Sequence, residues 1–216
     1  MKLQNLTFTF TGQQKPFFNK LTITLQKGKL TALCGHNGAG KSTLLKLLAG
    51  QLIGEQLEGN FILNGVRYTT AHNRLPKELT KHIHLVHQDI DTMLATNMTA
   101  KENLQLAGMF AFPKLAPLPQ INRAELTAQV SFDLDAPVHT LSGGQRQLLA
   151  IMMALQQKPS VLLLDEPTAA LDTKNAHEVM QALTQLAHTS NTFVVMVCHN
   201  AELVGTYADE RIELMR

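Results

Sequence analysis

The feature that most constrains this chain is a glycine-rich segment, GHNGAGKS, at residues 35–42. It follows the apolar run LTALC and precedes the helix-like KSTLLKLL, and in this context the pattern G-x-x-x-x-G-K-[ST] binds nucleotide phosphates. Glycines let backbone N–H groups turn inward around the phosphate oxygens, and the helix directs its positive end toward them. The sequence therefore predicts a phosphate-binding loop between a strand and a helix.

Two side chains at the end of this loop are suited to a nucleotide. Lys41 adds a positive charge for the β- and γ-phosphates, and the hydroxyl of Ser42 is suited to coordinate Mg²⁺. The candidate nucleotide-binding residues of the segment are Gly35, His36, Asn37, Gly38, Ala39, Gly40, Lys41, Ser42 and Thr43.

The apolar pattern along the chain predicts two kinds of strand. Alternating apolar positions in LQNLTFTF and LTITL predict half-buried antiparallel strands, and NFILNGVRY predicts a hairpin around Asn64–Gly65. The nearly continuous apolar runs LTALCG, IHLVHQ, SVLLLDE and TFVVMVCH predict parallel strands covered on both faces, with helices between them. We therefore predict an α/β fold: a P-loop NTPase core with a mixed, mostly parallel sheet and an N-terminal antiparallel β-subdomain.

The strand pattern disappears between about residues 97 and 157, where we expect a short helical insertion. TAKE, at residues 99–102, fits a capping box that opens one helix. FPKLAPLP is a proline-rich break, and NRAELTAQ is compatible with a second short helix. With 216 residues and 44% apolar composition, the chain is expected to form a single domain, 1–216.

The run VLLLDE predicts a central strand that projects Asp165 and Glu166 from its carboxyl end. An Asp–Glu pair alone is more typical of a solvated strand end. Together with the phosphate-binding loop, however, Asp165 is expected to bind the Mg²⁺ shell, and Glu166 to orient or deprotonate the attacking water.

A second candidate anion site lies in LSGGQ, at residues 141–145. Ser142, Gly143 and Gly144 offer a hydroxyl and backbone N–H groups at the start of a helix. One alternative is that SGG merely caps that helix.

Together these motifs resemble the ATP-binding subunits of ABC transporters over nearly the whole chain. GHNGAGKST is similar to the Walker A loop, VLLLDEP to the Walker B strand and LVHQD to the Q-loop. LSGGQ is similar to the family signature, AALD to the D-loop and VCHN to the switch loop. The resemblance implies that two such domains close head to tail, with each ATP between the Walker A loop of one and the signature of the other.

The resemblance also implies roles for single residues. Glu166, His199 and Gln88 would be catalytic, with His199 contacting the γ-phosphate and Gln88 reporting the nucleotide state to the insertion and the membrane partner. Ser42, Gln88 and Asp165 would surround Mg²⁺.

Further roles implied by the resemblance concern the partner's nucleotide and the base. Asp172 belongs to the D-loop, and Phe10 lies where the family usually has an aromatic that stacks on adenine. In an alternating strand, Phe10 is equally typical of a core residue. The residues expected to bind the ATP of a partner subunit are Ser142, Gly143, Gly144 and Gln145.

The function implied is an ATP-hydrolysing subunit of an importer-type membrane ABC transporter that uses ATP and Mg²⁺. Its expected partners are a second copy of itself or a homologous ATPase subunit, integral membrane permease subunits and an extracytoplasmic substrate-binding protein. The sequence contains neither a signal peptide nor an apolar run of roughly 20 residues. We therefore expect a cytoplasmic protein, peripheral on the inner face of the cell membrane.

Charge and composition bear on the alternatives. The net charge of +2 comes with scattered basic residues, so we do not expect a nucleic-acid partner. The rival interpretation is a soluble, non-transport ABC ATPase that acts in complex assembly. Cys34 and Cys198 lie in apolar runs and are expected to be buried, reduced thiols.

Overall fold

The computed structural model describes residues 1–109 and 132–214. Strands and helices alternate along most of these residues. The strands are β1 (Lys2–Thr9), β2 (Phe18–Thr24), β3 (Leu30–Cys34), β4 (Gln56–Leu63), β5 (Val66–Thr69), β6 (Ile83–Val86), β7 (Val161–Asp165), β8 (Phe193–Val197) and β9 (Glu210–Glu213). The helices are α1 (Lys41–Leu48), α2 (Lys77–Thr80), α3 (Ala100–Ala107), a 3₁₀ helix (Val138–Thr140), α4 (Gly143–Gln156), α5 (Thr173–Thr189) and α6 (Ala201–Tyr207).

The N-terminal part forms the predicted antiparallel sheet, in the order β2-β1-β4-β5. The alternation predicted for β1 is observed at Leu3 and Leu6, which are buried between more exposed neighbours, whereas both Phe8 and the following Thr9 are buried. Asn64 and Gly65 both have positive φ, 50° and 83°, which is the backbone that a two-residue hairpin turn requires. The antiparallel β-subdomain is therefore confirmed.

The second sheet is parallel, in the order β6-β7-β8-β3-β9. Its first four strands are the four apolar runs that predicted a parallel core. The edge strand β9 is not predicted by the apolar pattern, since it has the sequence ERIE with a single aliphatic residue, Ile212. Such a strand takes its place through backbone pairing with β3 rather than through its own apolar surface.

This parallel sheet separates two apolar cores, and β7 shows how. Leu162 and Leu164 face the core formed with α3, α4 and α5, whereas Val161 and Leu163 face the core shared with α1 and the antiparallel sheet. All four are fully buried, and each such side chain contributes about 1.5–3 kcal/mol of hydrophobic stabilisation. The strand is thus held from both faces, which fixes the position of its carboxyl end.

In the described parts of residues 97–157, helices are present and no strand is assigned. The predicted capping box opens α3, because the Thr99 side chain accepts from the Glu102 N–H and the Glu102 side chain accepts from the Thr99 N–H. The segments FPKLAPLP and NRAELTAQ lie outside the described residues. Among the helices of the described ranges, none has the length and apolar character needed to cross a membrane.

The two cysteines lie at the carboxyl ends of parallel strands, and both are free thiols. Cys198 is buried, as predicted. Cys34 is partly exposed, contrary to the prediction, because it is the last residue of β3 before the open glycine-rich loop. Burial, followed by the negative charge of Glu213, raises the pKa of the Cys34 thiol, so this thiol is kept in its protonated form.

Candidate functional site

The loop between β3 and α1 has a backbone that leaves N–H groups open to an anion. Gly35, Gly38 and Gly40 have φ values of 141°, 83° and 96°, a region that residues with a side chain rarely adopt. Gly40 is the N-cap of α1, and no side chain caps this helix. The first N–H groups of α1 are therefore available to phosphate oxygens, as the sequence motif predicts.

Lys41 is held inside this loop by its own backbone. Its Nζ donates to the carbonyl oxygens of Gly35, at 2.8 Å, and His36, at 3.1 Å, and only 6% of the residue is exposed. These acceptors fix the ammonium group at the loop, where its charge faces any bound triphosphate.

Two of the three predicted Mg²⁺ ligands are in direct contact. The hydroxyl of Ser42 donates to Oδ1 of Asp165 at 2.8 Å, and Asp165 is the buried last residue of β7. The third, Gln88, follows β6 and lines a cleft of about 720 Å³ together with Asp165 and Glu166. Because Mg²⁺ prefers oxygen ligands, a hydroxyl and a carboxylate at this spacing fit a Mg²⁺ site.

The predicted water base and switch histidine also meet. Nε2 of His199 lies 2.9 Å from Oε1 of Glu166, where it donates a hydrogen bond. Glu166 has φ 53°, a conformation that is uncommon for a residue with a side chain, and its N–H donates to the carbonyl of Val197 at 3.1 Å. Backbone strain of this kind is typical of functional sites. The two residues come from adjacent strands, β7 and β8.

These groups surround one cavity of about 530 Å³ beside the phosphate-binding loop. Its lining includes one aromatic side chain, Phe17, which the sequence analysis missed. The only sequence signal is the pair Phe17–Phe18 at the start of β2: since Phe18 is buried, alternation directs Phe17 to the other face. Phe10 is not among the lining residues in the described ranges. The lining residues are Phe17, Asn37, Gly38, Gly40, Lys41, Ser42, Thr43, Glu166 and His199.

The predicted signature is the start of α4, and Ser142 is its N-cap. The Ser142 hydroxyl oxygen accepts from the Gln145 N–H at 3.3 Å, and the Gln145 side chain accepts from the Ser142 N–H at 2.9 Å. This capping box leaves the hydroxyl hydrogen of Ser142 available as a donor. Ser142 is exposed, so that donor is accessible from outside the chain.

Of the two signature glycines, Gly144 is needed for close packing, and Gly143 is near a neighbouring side chain. A Cβ on Gly144 would lie 2.7 Å from Oδ1 of Asn175, and one on Gly143 would lie 3.2 Å from Cδ2 of Leu171. Asp172, the predicted D-loop residue, caps α5 by accepting from the Asn175 N–H at 2.9 Å. This backbone hydrogen bond, with a second from the Asn175 side chain, lowers the pKa of Asp172.

Within one chain, the signature is separate from the phosphate-binding loop. None of its residues lines the phosphate-loop cavity in the described part of the chain. Gly143 instead lines the cleft that contains Gln88. There the sequence analysis also missed an ion pair, in which Arg146 of α4 lies 3.6 Å from Asp91 beyond the Q-loop.

The sequence profile of the family described as "ABC transporter" matches residues 18–169, more than half of the chain. A phosphonates import ATP-binding protein, PhnC 1, of Ruegeria sp. (strain TM1040) is 35% identical over 225 residues, covering all of this chain and 85% of the relative. The tyrosine transport ATP-binding protein of Clostridioides difficile (strain R20291) is 34% identical over 225 residues, covering 99% of this chain and 88% of the relative.

Solved structures of ATP-binding cassettes have a similar fold. An ATP-binding cassette determined as a dimer in a post-hydrolysis state, bound to ADP and Pi, is 26% identical with a TM-score of 0.72 and covers 98% of this chain and 93% of its own. cbiO1 from Clostridium perfringens, part of an ABC transporter complex, has a TM-score of 0.77 at 24% identity and covers 98% of this chain and 83% of its own. The latter supports the fold alone.

Proposed function

Because the chain belongs to the ABC transporter family and is an ATP-hydrolysing subunit of such a transporter, we propose that two copies close head to tail around two MgATP. Each nucleotide then lies between the phosphate-binding loop of one copy and the Ser142 helix start of the other. Hydrolysis reopens the pair, and this motion drives the permease subunits.

The observation that carries this proposal is the separation of the two anion-binding helix starts. Both offer N–H groups, yet the residues from Ser142 to Gln145 do not line the phosphate-loop cavity of their own chain within the described ranges. Gly143 and Gly144 are packed against Leu171 and Asn175, which holds the start of α4 in place. A second copy supplies the missing side of the cavity, as a two-fold symmetric dimer would.

For the chemical step, we assign the base to Glu166. A water oxygen attacks the γ-phosphorus in line, the bond to the bridging oxygen of the β-phosphate breaks, and ADP and phosphate result. Glu166 accepts the proton of the attacking water, and His199 orients the carboxylate through the 2.9 Å hydrogen bond. His199 also lines the cavity, where its single N–H is suited to donate to the γ-phosphate in place of Glu166.

Ser42 and Asp165 would hold Mg²⁺, and Gln88 would reach it from the adjacent cleft. The ion supplies charge neutralisation at the β- and γ-phosphates when bound. The hydroxyl of Ser42 and the carboxylate of Asp165 already share one hydrogen bond, so they are oriented toward a common point.

The relatives' names favour import. The PhnC 1 relative is named for phosphonates import and the Clostridioides difficile relative for tyrosine transport. A cobalt import ATP-binding protein, CbiO, of Rhodobacter capsulatus is 35% identical over 215 residues, covering 98% of this chain and 73% of the relative. The named substrates differ, whereas the PhnC 1 and CbiO names both state import, so the names support a direction of transport rather than a substrate. We propose that residues 1–216 act as one ATP-binding domain at the inner face of the cell membrane, with residues 97–157 as its insertion. Its partners would be permease subunits and an extracytoplasmic substrate-binding protein.

The head-to-tail arrangement is tested by mixing two inactive variants, Lys41→Ala and Ser142→Arg. Each homodimer has both composite sites damaged, whereas the mixed dimer keeps one site with an intact loop and an intact signature. If the sites work independently, a random mixture should show about one quarter of the wild-type ATPase rate, since half of the dimers are mixed and each has one intact site. Verified mixed dimers with no activity above the homodimers would refute the arrangement.

The assignment of Glu166 is tested by Glu166→Gln. ATP binding should persist while turnover falls by about 10²- to 10⁴-fold and a closed dimer accumulates in size-exclusion chromatography with MgATP. Glu178→Gln, which changes an exposed carboxylate of α5 that lines neither cavity containing Glu166 and His199, is the matched control and should leave turnover unchanged. Wild-type turnover in Glu166→Gln would exclude Glu166 as the base.

A further inference from the structure

The side chain of His199 is bordered by open space. It is 46% exposed, and its Nε2 donates to Oε1 of Glu166 at 2.9 Å. Both residues line the phosphate-loop cavity and also a second cavity of about 440 Å³, whose lining includes Thr168, Cys198 and Asn200. Because an imidazole beside two cavities has few packing neighbours, its position depends on the backbone that holds it.

That backbone is a connection of three residues, 198–200, between β8 and α6. Cys198, at its start, is 8% exposed and belongs to the core formed with α3, α4 and α5. Asn200, at its end, is the N-cap of α6, because its Oδ1 accepts from the N–H groups two and three residues further along, at 3.0 and 3.1 Å. His199 is thus held between a buried thiol and a helix cap.

The helix that Asn200 caps is itself fixed in the fold. Leu203, in the first turn of α6, is 4% exposed. At the other end of the helix, the hydroxyl oxygen of Tyr207 lies 3.0 Å from Nδ1 of His177 on α5. The hydroxyl of Thr184, also on α5, donates to the carbonyl of Tyr207 at 3.2 Å. The cap therefore joins the connection that contains the switch histidine to an anchored helix.

We propose that Asn200 is a positioning residue for ATP hydrolysis: its cap on α6 holds the imidazole of His199 within hydrogen-bond distance of Glu166. The proposal rests on the proposed function, since it assumes that Glu166 and His199 serve the attack of water. Without the cap, two N–H groups at the start of α6 lose their acceptor, and residue 200 is released from its conformation of φ −78° and ψ 106°. The imidazole then loses its alignment. The phosphate-binding residues keep theirs, because Asn200 does not line the phosphate-loop cavity in the described ranges.

The first test separates turnover from binding. In Asn200→Ala, kcat for MgATP should fall by about 10- to 100-fold with KM unchanged, because misplacement of a catalytic group lowers the rate rather than the ground-state affinity. Asn200→Ser should keep the wild-type kcat, since serine supplies a capping oxygen without adding a charge. Turnover is divided by the number of ATP-binding sites counted by calorimetry, so unfolded chains do not contribute.

Thr99→Ala is the matched control, because it removes a cap of the same kind from α3. Within the described part of the chain, Thr99 lines neither the phosphate-loop cavity nor the second cavity. This variant should keep the wild-type kcat and KM even if the chain is less stable. An equal fall of kcat in Thr99→Ala and Asn200→Ala would assign the effect to a general loss of stability and overturn the proposal.

A double variant identifies the residue through which Asn200 acts. His199→Ala removes the imidazole, so the addition of Asn200→Ala should lower kcat no further. Single-turnover assays measure the residual rates. The proposal is overturned if Asn200→Ala keeps the wild-type kcat, or if it lowers kcat as much in the His199→Ala background as in the wild type. Failure of the proposed function is seen separately, as wild-type turnover in His199→Ala.

Discussion

The starts of α1 and α4 are both glycine-rich, and each is predicted to bind a nucleotide, α1 that of its own chain and α4 that of the partner. They are built differently. At α1 the N-cap is Gly40, with φ 96° and no side-chain cap, so the helix N-terminus is left open. At α4 the N-cap is Ser142, and a reciprocal capping box with Gln145 already satisfies two of the N–H groups there. The start of α1 can therefore enclose an anion with its free N–H groups, whereas the start of α4 is already capped and offers only a few hydrogen-bond donors.

The glycines at the starts of α1 and α4 also differ in the reason that glycine is needed there. Gly35, Gly38 and Gly40 are required by backbone conformation, because each has a positive φ. Gly144 is required by space, because a Cβ would lie 2.7 Å from Oδ1 of Asn175, and Gly143 lies close to the end of the Leu171 side chain. A glycine-rich motif thus indicates positions where a side chain is unfavourable. The structure shows whether the cause is the backbone conformation or a neighbouring residue.

Among changes at the helix starts, the largest effect is expected on ATP affinity, from Lys41→Ala at the start of α1. Removal of a charge-assisted donor should weaken ATP binding to the single chain by about 10- to 150-fold. Lys2→Ala is the matched control, since Lys2 is an exposed lysine of β1 and lines neither the phosphate-loop cavity nor the cleft that contains Gln88. Calorimetry with MgATP at low protein concentration gives the dissociation constants of the variant and of its control. Equal affinities of the two variants would remove the distinction between the α1 and α4 sites.

At the α4 site, Ser142→Ala should leave ATP binding to the single chain unchanged. The loss should appear in ATP-driven dimerisation, weakened by about 100-fold, because each of the two composite sites loses one hydroxyl donor to a charged phosphate, worth about 10-fold per site. Ser142→Thr keeps the hydroxyl and should dimerise normally. Analytical ultracentrifugation of a Glu166→Gln background, with and without MgATP, measures the dimerisation. A lower single-chain affinity in Ser142→Ala would mean that the signature serves its own loop.

The packing role of Gly144 predicts a smaller effect, on stability. Gly144→Ala places a Cβ 2.7 Å from Oδ1 of Asn175 and should lower the free energy of unfolding by about 1–3 kcal/mol. Combining it with Asn175→Ala should recover part of that loss, since the obstructing side chain is removed. Urea denaturation of the wild type, the two single variants and the double variant gives the interaction free energy between positions 144 and 175. Additive losses would show that Asn175 is not the obstacle.

The smallest effect concerns the third helix start, where Asp172 caps α5. The backbone N–H of Asn175 lowers the pKa of Asp172 in the folded chain. The stabilisation is therefore complete above the unfolded value, about pH 3.9, and is lost as the pH falls through the lower folded pKa. Asp172→Asn keeps a capping acceptor that does not titrate. Thermal unfolding at pH 7 and below pH 4 should show a smaller acid-induced decrease in Tm for Asp172→Asn, and equal decreases would contradict the assignment.

The parts of the site that follow from local chemistry could be predicted from the sequence. The phosphate-binding loop, the carboxyl end of β7 and the Thr99 capping box each depend on a few adjacent residues, and their motifs are strict. Contacts across the fold could not be predicted in this way: the hydrogen bond between Glu166 and His199 depends on the order of strands in the sheet. Residue roles assigned by the motifs remain predictions until the variants above are measured.

Phe17 and β9 show why the rest was missed. The sequence alone does not show which of the adjacent phenylalanines at positions 17 and 18 lines the phosphate-loop cavity, since that depends on how the antiparallel sheet lies over α1. The strand Glu210–Glu213 has little apolar character, and its pairing with β3 is supplied by the backbone. In both cases the deciding information lies in a distant part of the chain.

Asn175 joins two loops that a head-to-tail pair would use together. Its amide nitrogen donates to Oδ2 of Asp172 at 2.6 Å, while the same side chain fills the space beside Gly144. Close-packed contacts transmit displacement rather than absorb it, so a shift of the D-loop moves the start of α4 as well. In a pair of copies, the state of one nucleotide would then be communicated to the other by a mechanical linkage, and the two binding events would be cooperative.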